Sequence, residues 1–188
     1  MDALTKKYGK PKGNVVQMRG LLGVEGEISR NSGARELFDK NPEIKIVAEP
    51  VADWIQAKAK DRMTEVLRAQ PSIDVVYGHN DPMAIGAMNV ILDAGLRIPE
   101  DIAVVGCGNL NYNDWLRVPL TSIDQRSHLI GQRAGEILLG MIEGREWPAP
   151  AKVILEPTLV VRASTTGASA TAKKSPAKTA RKTAKPQK

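Results

Sequence analysis

Short apolar runs alternate with amphipathic stretches along most of the chain. The amphipathic stretches, such as residues 53–68 and 84–92, carry apolar side chains three and four positions apart, which predicts helices with one buried face. Five apolar runs are bounded by turn-forming residues and predict buried β-strands: NVVQM (14–18), IKIVA (44–48), IDVVY (73–77), IAVVG (102–106) and LTSID (120–124). Because strands and helices alternate, the sequence predicts an α/β fold with a doubly wound, Rossmann-like parallel sheet.

Two later segments extend this pattern. Residues 127–142 predict another amphipathic helix, with Ile130, Ile137 and Met141 on one face. The run KVILEPTLVV (152–161) predicts a last strand. Pro157 cannot donate a backbone hydrogen bond, so this strand is expected at the edge of the sheet or bent.

Length and composition limit the classes of protein that the chain can form. A chain of 188 residues can bury one sizeable core, and with 42% hydrophobic but only 4% aromatic residues this core is aliphatic. The single cysteine, Cys107, excludes an internal disulfide, and the two histidines are too far apart for a helical zinc motif. We therefore expect no metal and no cofactor. The absence of an apolar run of about 18 residues or of a secretory signal predicts a cytoplasmic chain without membrane insertion.

The net charge of +6 comes from the carboxyl-terminal end of the chain. From Ser164 onward the sequence contains six lysines and Arg181 but no acidic residue, so the part before it is close to neutral. Residues 1–163 are therefore predicted to form the folded domain, and 164–188 a disordered basic tail that favours solubility. Sequence-independent contact of the tail with nucleic acid is the alternative.

Polar and aromatic residues follow the predicted strands at the edge where ligands bind to doubly wound sheets. Arg30, Trp54, Asn80 and Gln125 each follow a different strand, and Asp81 stands beside Asn80. An arginine fork, an aromatic face and amides suit a neutral polyhydroxylated ligand. Taken singly, each residue has a structural alternative: a surface arginine, a core tryptophan, a helix cap or a solvated turn residue. Their convergence favours a binding site.

An enzymatic function has less support. Cys107 at the end of a strand and His79 at the end of its neighbour could form a nucleophile and base, which makes a cysteine-dependent hydrolase a remote alternative. The sequence offers no acidic residue to orient the histidine and no nucleophile elbow. The glycines of residues 20–26 do not have the spacing of a nucleotide-binding loop. We therefore expect a protein that is not an enzyme.

The order of several motifs resembles a known family. The loop with Arg30, ADW with Trp54, HNDPMAIGA, AGLRIPEDIAVVG, VPLTSIDQ and LVVRAST together resemble the effector-binding domain of LacI/GalR transcription regulators and the related type I periplasmic sugar-binding proteins. The resemblance runs from about residue 13 to residue 165. It implies a lobe of a two-lobed fold that closes on a sugar, and this chain resembles the carboxyl-terminal lobe only.

The resemblance also implies roles for individual residues. Arg30 and Asn80 correspond to ligands of sugar hydroxyls, Trp54 to the aromatic that covers the sugar ring, and Gln125 to a ligand at the hinge. Where family members commonly have an aspartate, this sequence has Gly108, and the neighbouring Asn109 is the expected substitute. In this interpretation Asp81 caps the following helix and leaves the amide of Asn80 free for the sugar.

Two functions share this lobe. The motifs GLRIPEDIAVVG, VPLTSIDQ and LVVRAST favour a LacI-like regulator, whereas IKIVAEPVADW resembles the substrate-binding proteins of sugar ABC transporters, which would place the protein in the periplasm. In the resemblance, residues 127–150 belong to a helix segment of an absent amino-terminal lobe. DNA would be a partner only through a missing amino-terminal segment. The exposed face of the helix predicts self-association, for example as a homodimer, or instability of the isolated chain.

Overall fold

The computed structural model describes residues 2–70, 72–145 and 152–167. Within them the strands are β1 (Gly13–Met18), β2 (Ile44–Ala48), β3 (Val75–Gly78), β4 (Ala103–Cys107), β5 (Thr121–Asp124) and β6 (Thr158–Val160). The helices are α1 (Asp2–Tyr8), α2 (Glu25–Asp39), α3 (Gln56–Ala69), α4 (Asp81–Asp93), α5 (Ser127–Ile142) and α6 (Ala163–Thr166), with a short 3-10 turn at Asn113–Trp115.

The strands form one mostly parallel sheet in the order β2-β1-β3-β4-β5-β6. The first five strands pair in parallel, and β6 pairs with β5 in the opposite direction. This arrangement confirms the predicted α/β fold with a doubly wound sheet. The predicted last strand is shorter than the apolar run 152–161, because pairing begins directly after Pro157, and it lies at the edge of the sheet as expected.

The main core lies between the sheet and the α3–α4 pair. Met18, Met63 and Val104 are completely buried there, together with Met83 and Ile91 of α4. Helix α4 is apolar on nearly all sides because it is enclosed by both the sheet and α3. The order of the strands and this helix pair fix the edge at which the candidate ligand residues meet.

Helix α5 has the predicted bounds but leaves most of its apolar side chains in solvent. Leu138, Leu139 and Met141 are each about 60% exposed, Ile142 is 73% exposed, and Gly140 is the buried residue of the helix. An amphipathic helix normally buries this face. The origin of the helix in a second lobe stays a prediction, and residues 146–150 of the predicted segment lie outside the described part of the chain.

The predicted boundary of the tail at Ser164 is wrong. Ser164 is completely buried in α6, where its hydroxyl donates to the carbonyl oxygen of Val104 at 2.7 Å and accepts from the amide of Thr121 at 2.8 Å. These bonds attach α6 to β4 and β5, so the ordered domain includes residues 164–167. The remainder of the predicted tail, 168–188, lies outside the described residues.

Helix α1 was not predicted, because a single long-range cluster stabilises it. The carboxylate of Asp74 accepts hydrogen bonds from Lys7 at 2.6 Å, from the hydroxyl of Tyr8 at 2.5 Å and from the amide of Asn14 at 2.8 Å. Leu4 packs beside Val15 in a small second core. The amino-terminal helix is thereby attached to the edge of the sheet opposite the candidate site.

We predict that Asp74→Asn destabilises the protein at neutral pH and weakens its response to acid. Burial alone raises the pKa of Asp74, but the hydrogen bonds from Lys7, Tyr8 and Asn14 outweigh it and lower the pKa below the ordinary value. Because the folded-state pKa is the lower one, the carboxylate stabilises the fold above about pH 4 and this stabilisation is lost as the pH falls.

Urea unfolding at pH 7 and pH 3 measures this effect. The free energy of unfolding of the wild type should fall more steeply between the two pH values than that of the variant. The exposed Asp61→Asn on α3 serves as the control and should behave like the wild type. Equal acid sensitivity of Asp74→Asn and the wild type would contradict the prediction.

Candidate ligand-binding edge

The loop after β2 places Trp54 at the carboxyl edge of the sheet. Asp53 and Trp54 both have positive φ angles, of 51° and 68°, and form a turn before α3 begins at Gln56. Trp54 therefore precedes the helix and does not lie in its first turn as predicted. The indole packs so closely on Gly20 that a Cβ atom there would lie 2.3 Å from the ring. Only glycine leaves room for the tryptophan in this position.

Asn80, not Asp81, caps helix α4, which corrects the prediction from the sequence. The Oδ1 atom of Asn80 accepts from the amide of Met83 at 2.9 Å, and its extended backbone makes it the last residue before the helix. Its Nδ2 atom donates to the carbonyl oxygen of Trp54 at 3.1 Å. An amide nitrogen carries two hydrogens, so this contact leaves one donor of Asn80 for a ligand.

Asp81 is a completely buried structural residue. Its carboxylate accepts from the hydroxyl of Ser122 at 2.6 Å, from the side-chain amide of Asn113 at 2.8 Å and from the backbone amide of Leu110 at 2.9 Å. A Cβ atom at Gly106 would lie 2.3 Å from the carboxylate, so the strand approaches it closely. Both carboxylate oxygens accept from these residues of other segments, and neither caps the helix that Asp81 begins.

Arg30 lies in the second turn of α2, beside the ring of Trp54. Its guanidinium carbon is 5.3 Å from the centroid of the indole, and Nη1 donates to the carbonyl oxygen of Gly26 at 2.8 Å. Its Nε is buried and has no hydrogen-bond partner within the described residues. Buried donors without a partner are rare. The guanidinium thus retains donors for a ligand next to an aromatic surface.

A second arginine, missed in the sequence, holds the helix that carries Arg30. The guanidinium of Arg19 makes two contacts of 2.7 Å with Glu27, which is almost completely buried. Arg35 of the same helix pairs with Glu49 after β2. These ion pairs attach α2 to the loops that follow β1 and β2. Only the position of Arg19 directly after a strand could have indicated this role.

Gln125 and Asn109 lie together at the β4–β5 side of the edge. The Nδ2 of Asn109 donates to Asp124 at 3.2 Å, and its Oδ1 accepts from Arg162 at 2.9 Å. Gln125 contacts Cys107, with 3.4 Å between Nε2 and the sulfur. Both ends of the Asn109 amide have protein partners, and its Nδ2 atom, like that of Asn80, keeps a second hydrogen. Its role as a substitute ligand stays a prediction.

Tyr77 and His79 lie between these two groups, and neither was predicted as a ligand. Burial and the nearby Cys107 thiol raise the pKa of Tyr77 to about 12, against the opposite effect of Arg30. Burial and the positive charges of Arg30 and Arg19 lower the pKa of His79 to about 4. The two rings are 5.2 Å apart. Alternation along β3 could have indicated Tyr77, whereas the position of His79 at the end of a strand indicated a base for Cys107 instead.

Within the described residues, Cys107 and His79 do not contact each other as a nucleophile and its base would. The Nε2 atom of His79 faces Gln17, and its Nδ1 atom has no partner in the described part of the chain. The thiol of Cys107 is buried and contacts Gln125 instead. Across the described ranges, no group of three or more histidine, cysteine, aspartate or glutamate side chains could hold a metal ion.

The fold is an open, mostly parallel α/β sheet, and an arginine, a tryptophan and two amides lie along its carboxyl edge, where folds of this class bind ligands. Residues 22–165 match the family model described as periplasmic binding protein-like domain, and the chain belongs to this family. The resemblance drawn from the motifs is thereby confirmed.

Curated relatives include both regulators and binding proteins. The transcriptional regulator CelR of Thermobifida fusca is 35% identical over 102 residues, which cover 54% of this chain and 30% of CelR. The galactofuranose-binding protein YtfQ of Escherichia coli is 36% identical over 104 residues, or 54% of this chain and 33% of YtfQ. The chain therefore spans about a third of the length of these relatives.

Similar solved structures likewise include both binding proteins of transporters and transcription regulators. A periplasmic solute-binding protein of an ABC transporter from Actinobacillus succinogenes, with bound D-allose, has a TM-score of 0.75 at 30% identity and matches 88% of this chain and 57% of its own. The lac repressor dimer bound to operator also has a TM-score of 0.75, at 27% identity, and matches 87% of this chain and 57% of its own.

We predict that Asp81→Asn lowers the free energy of unfolding by about 3 kcal/mol, because the new amide group would face buried donors that lose their acceptor. Urea unfolding followed by circular dichroism measures the change. Asp93→Asn in the same helix is the matched control, since the side chain of Asp93 is 70% exposed and makes one surface contact with Lys60. Equal losses in the two variants would contradict the central role of Asp81.

Proposed function

We propose that the chain is the carbohydrate-binding lobe of a LacI/GalR-like transcription regulator, with a neutral sugar or a related polyol as its effector. It binds this ligand without chemical conversion and needs no cofactor. In such a protein the bound sugar stabilises a closed arrangement of two lobes. A coupling of about 1–3 kcal/mol between sugar and DNA sites suffices for regulation.

The observation that carries this proposal is the arrangement of Arg30, Trp54 and Asn80. An arginine with unused donors lies 5.3 Å from the centroid of an indole, and the backbone of the same tryptophan is bonded to an asparagine with a spare N–H. Sugars offer adjacent hydroxyl oxygens to such donors and an apolar C–H face to an aromatic ring. Gln125 and Asn109 extend the polar edge on the other side.

A second lobe is part of the proposal. The chain spans about a third of its curated relatives, and α5 exposes an apolar face that a further lobe would cover. The DNA-binding segment and the dimer of the regulator would belong to the whole protein. The role of the basic tail in nucleic-acid contact also lies outside the described residues. A regulator of this kind acts in the cytoplasm.

The second candidate is the substrate-binding protein of a sugar ABC transporter, which would act in the periplasm. The relative YtfQ and the D-allose-bound structure of Actinobacillus succinogenes favour it. None of the helices within the described residues has the length and apolar character to span a membrane. The coding sequence upstream of residue 1 distinguishes the candidates. A helix-turn-helix segment supports the regulator, and a secretory signal supports the receptor.

We predict that a sugar changes the fluorescence of Trp54 and that Asn80→Asp abolishes this response. The aspartate keeps the acceptor that caps α4 but lacks both N–H groups of the amide, the one bonded to the carbonyl oxygen of Trp54 and the one left for a ligand. Circular dichroism verifies that the variant is folded. The panel contains D-allose, D-ribose, D-galactose, lactose, cellobiose and xylitol, and calorimetry verifies each hit. Because one lobe covers only part of a ligand, the affinity is expected in about the millimolar range.

Arg30→Lys tests the arginine in the same assay. The lysine keeps the charge but loses the planar fork, so binding should weaken about tenfold or more. The control is Arg68→Lys at the exposed end of α3, which should bind like the wild type. A folded protein that responds to no sugar or polyol at millimolar concentrations contradicts the proposed ligand class.

We also predict that the isolated chain self-associates through α5. Leu138→Glu together with Ile142→Glu places charges on the exposed apolar face and should shift the protein to a monomer. Sedimentation velocity over a range of concentrations measures the change. As a control, the double variant Glu136→Gln and Glu143→Gln changes exposed polar positions of the same region. A wild type that stays monomeric at high concentration contradicts the prediction.

A further inference from the structure

A buried chain of hydrogen bonds runs beneath the candidate site. Gln17 of β1 and His79 after β3 are both completely buried. The Nε2 atom of Gln17 lies 2.9 Å from Oδ1 of Asn31 in α2 and 2.9 Å from Nε2 of His79. The three side chains therefore join two strands of the sheet to the helix that carries Arg30.

The partners of Gln17 determine the protonation of His79. One hydrogen of the Gln17 amide goes to Asn31 and the other to Nε2 of His79, so this ring nitrogen is an acceptor. The histidine is then neutral, with its proton on Nδ1. Arg30 and Arg19, which act on His79 from α2 and from the loop after β1, favour the same neutral form. The rings of Tyr77 and Trp54 lie beside it, 5.2 and 6.5 Å away.

The two ends of this chain are sequence neighbours of two candidate ligands. Asn31 follows Arg30 in α2, and His79 precedes Asn80. We propose that the His79–Gln17–Asn31 chain positions the ligand site, fixing the rotation of α2 so that Arg30 is held against Trp54. This inference rests on the proposed sugar site and adds three positioning residues to it.

Two unpaired atoms indicate that stability alone does not explain the chain. Oε1 of Gln17 and Nδ1 of His79 are buried and have no partner among the described residues. Unpaired buried polar atoms destabilise a fold, and an apolar pair of similar size would avoid this. Such departures from an optimal core are typical of sites where geometry serves function.

Protonation of His79 would disturb this arrangement. A proton on Nε2 would face the N–H of Gln17, so the Gln17 amide would have to rotate and turn its oxygen toward the oxygen of Asn31. The contact with α2 would be repulsive until the Asn31 amide also rotated to donate from its nitrogen. The neutral histidine thus maintains the position of Arg30, and acid should release it.

The first experiment needs no ligand. Replacing Trp115 and Trp147 by phenylalanine gives a parent protein in which Trp54 is the sole tryptophan. Adding Arg30→Met to this parent shows the fluorescence emission of Trp54 in the absence of the Arg30 guanidinium. If the buried chain positions Arg30, then Gln17→Leu should shift the emission in the same direction as Arg30→Met. A folded Gln17→Leu variant with the emission of its parent protein would overturn the proposal.

His79 is tested by a conservative and a disruptive change. His79→Gln can still accept from Gln17, so it should keep the emission of the parent, whereas His79→Leu should reproduce the shift of Arg30→Met. Acid titration of the parent should show a step with a midpoint near pH 4 that His79→Gln lacks, in addition to the effects of the carboxylates that both proteins share. Equal spectra for His79→Leu and the parent, with circular dichroism of a folded protein, would contradict the positioning role.

The second experiment measures affinity for the sugar of the panel that gives the largest Trp54 response in the otherwise unchanged protein. Gln17→Leu and His79→Leu should weaken binding about tenfold, and His79→Gln should restore most of it. Unchanged affinity in both leucine variants would overturn the proposal. If no sugar binds the wild type, the proposed function fails, and the ligand-free spectra still decide whether the buried chain positions Arg30.

Discussion

The buried carboxylate of Asp81 is the constraint on which the carboxyl edge of the sheet depends. It accepts hydrogen bonds from Leu110, Asn113 and Ser122, which belong to three different segments around β4 and β5. A buried charge requires such partners, and the partners in turn have no other acceptor for these bonds. The start of α4 and the ends of the two neighbouring strands are therefore held as one unit.

This unit lets the adjacent Asn80 serve both the fold and a ligand. Asp81 fixes the first residue of α4, so the cap needs only the oxygen of the Asn80 side chain. The nitrogen joins the turn at Trp54 and still has a second hydrogen. At the other side of the edge, the amide of Asn109 is bonded at both ends to Asp124 and Arg162. Like Asn80, it keeps one N–H of its Nδ2 atom, and the side near Trp54 differs by the aromatic ring and by the Arg30 Nε atom, which has no partner among the described residues.

The sequence was sufficient to predict the helices and strands that depend on local apolar patterns. It was less informative where contacts between distant residues determine the structure. The five parallel strands, α4 and α5 follow from periodicity, as does the sheet that they form. Asn80 and Asp81 could not be assigned correctly, because both side chains can cap a helix and only distant donors distinguish them. Helix α6 depends on Ser164, whose partners lie in β4 and β5.

The candidate site is open on one side, and a second lobe would cover that side. Its polar groups lie at an open edge, where water competes for every hydrogen bond and a ligand is covered on one side only. Closure of a lobe over Arg30 and Trp54 would exclude that water and strengthen the same contacts. In the proposed function, the energy that favours closure would come from the bound sugar. Both a regulator and a transport receptor can use this closure energy. The two differ in the segments attached to the lobe rather than in the chemistry of this edge.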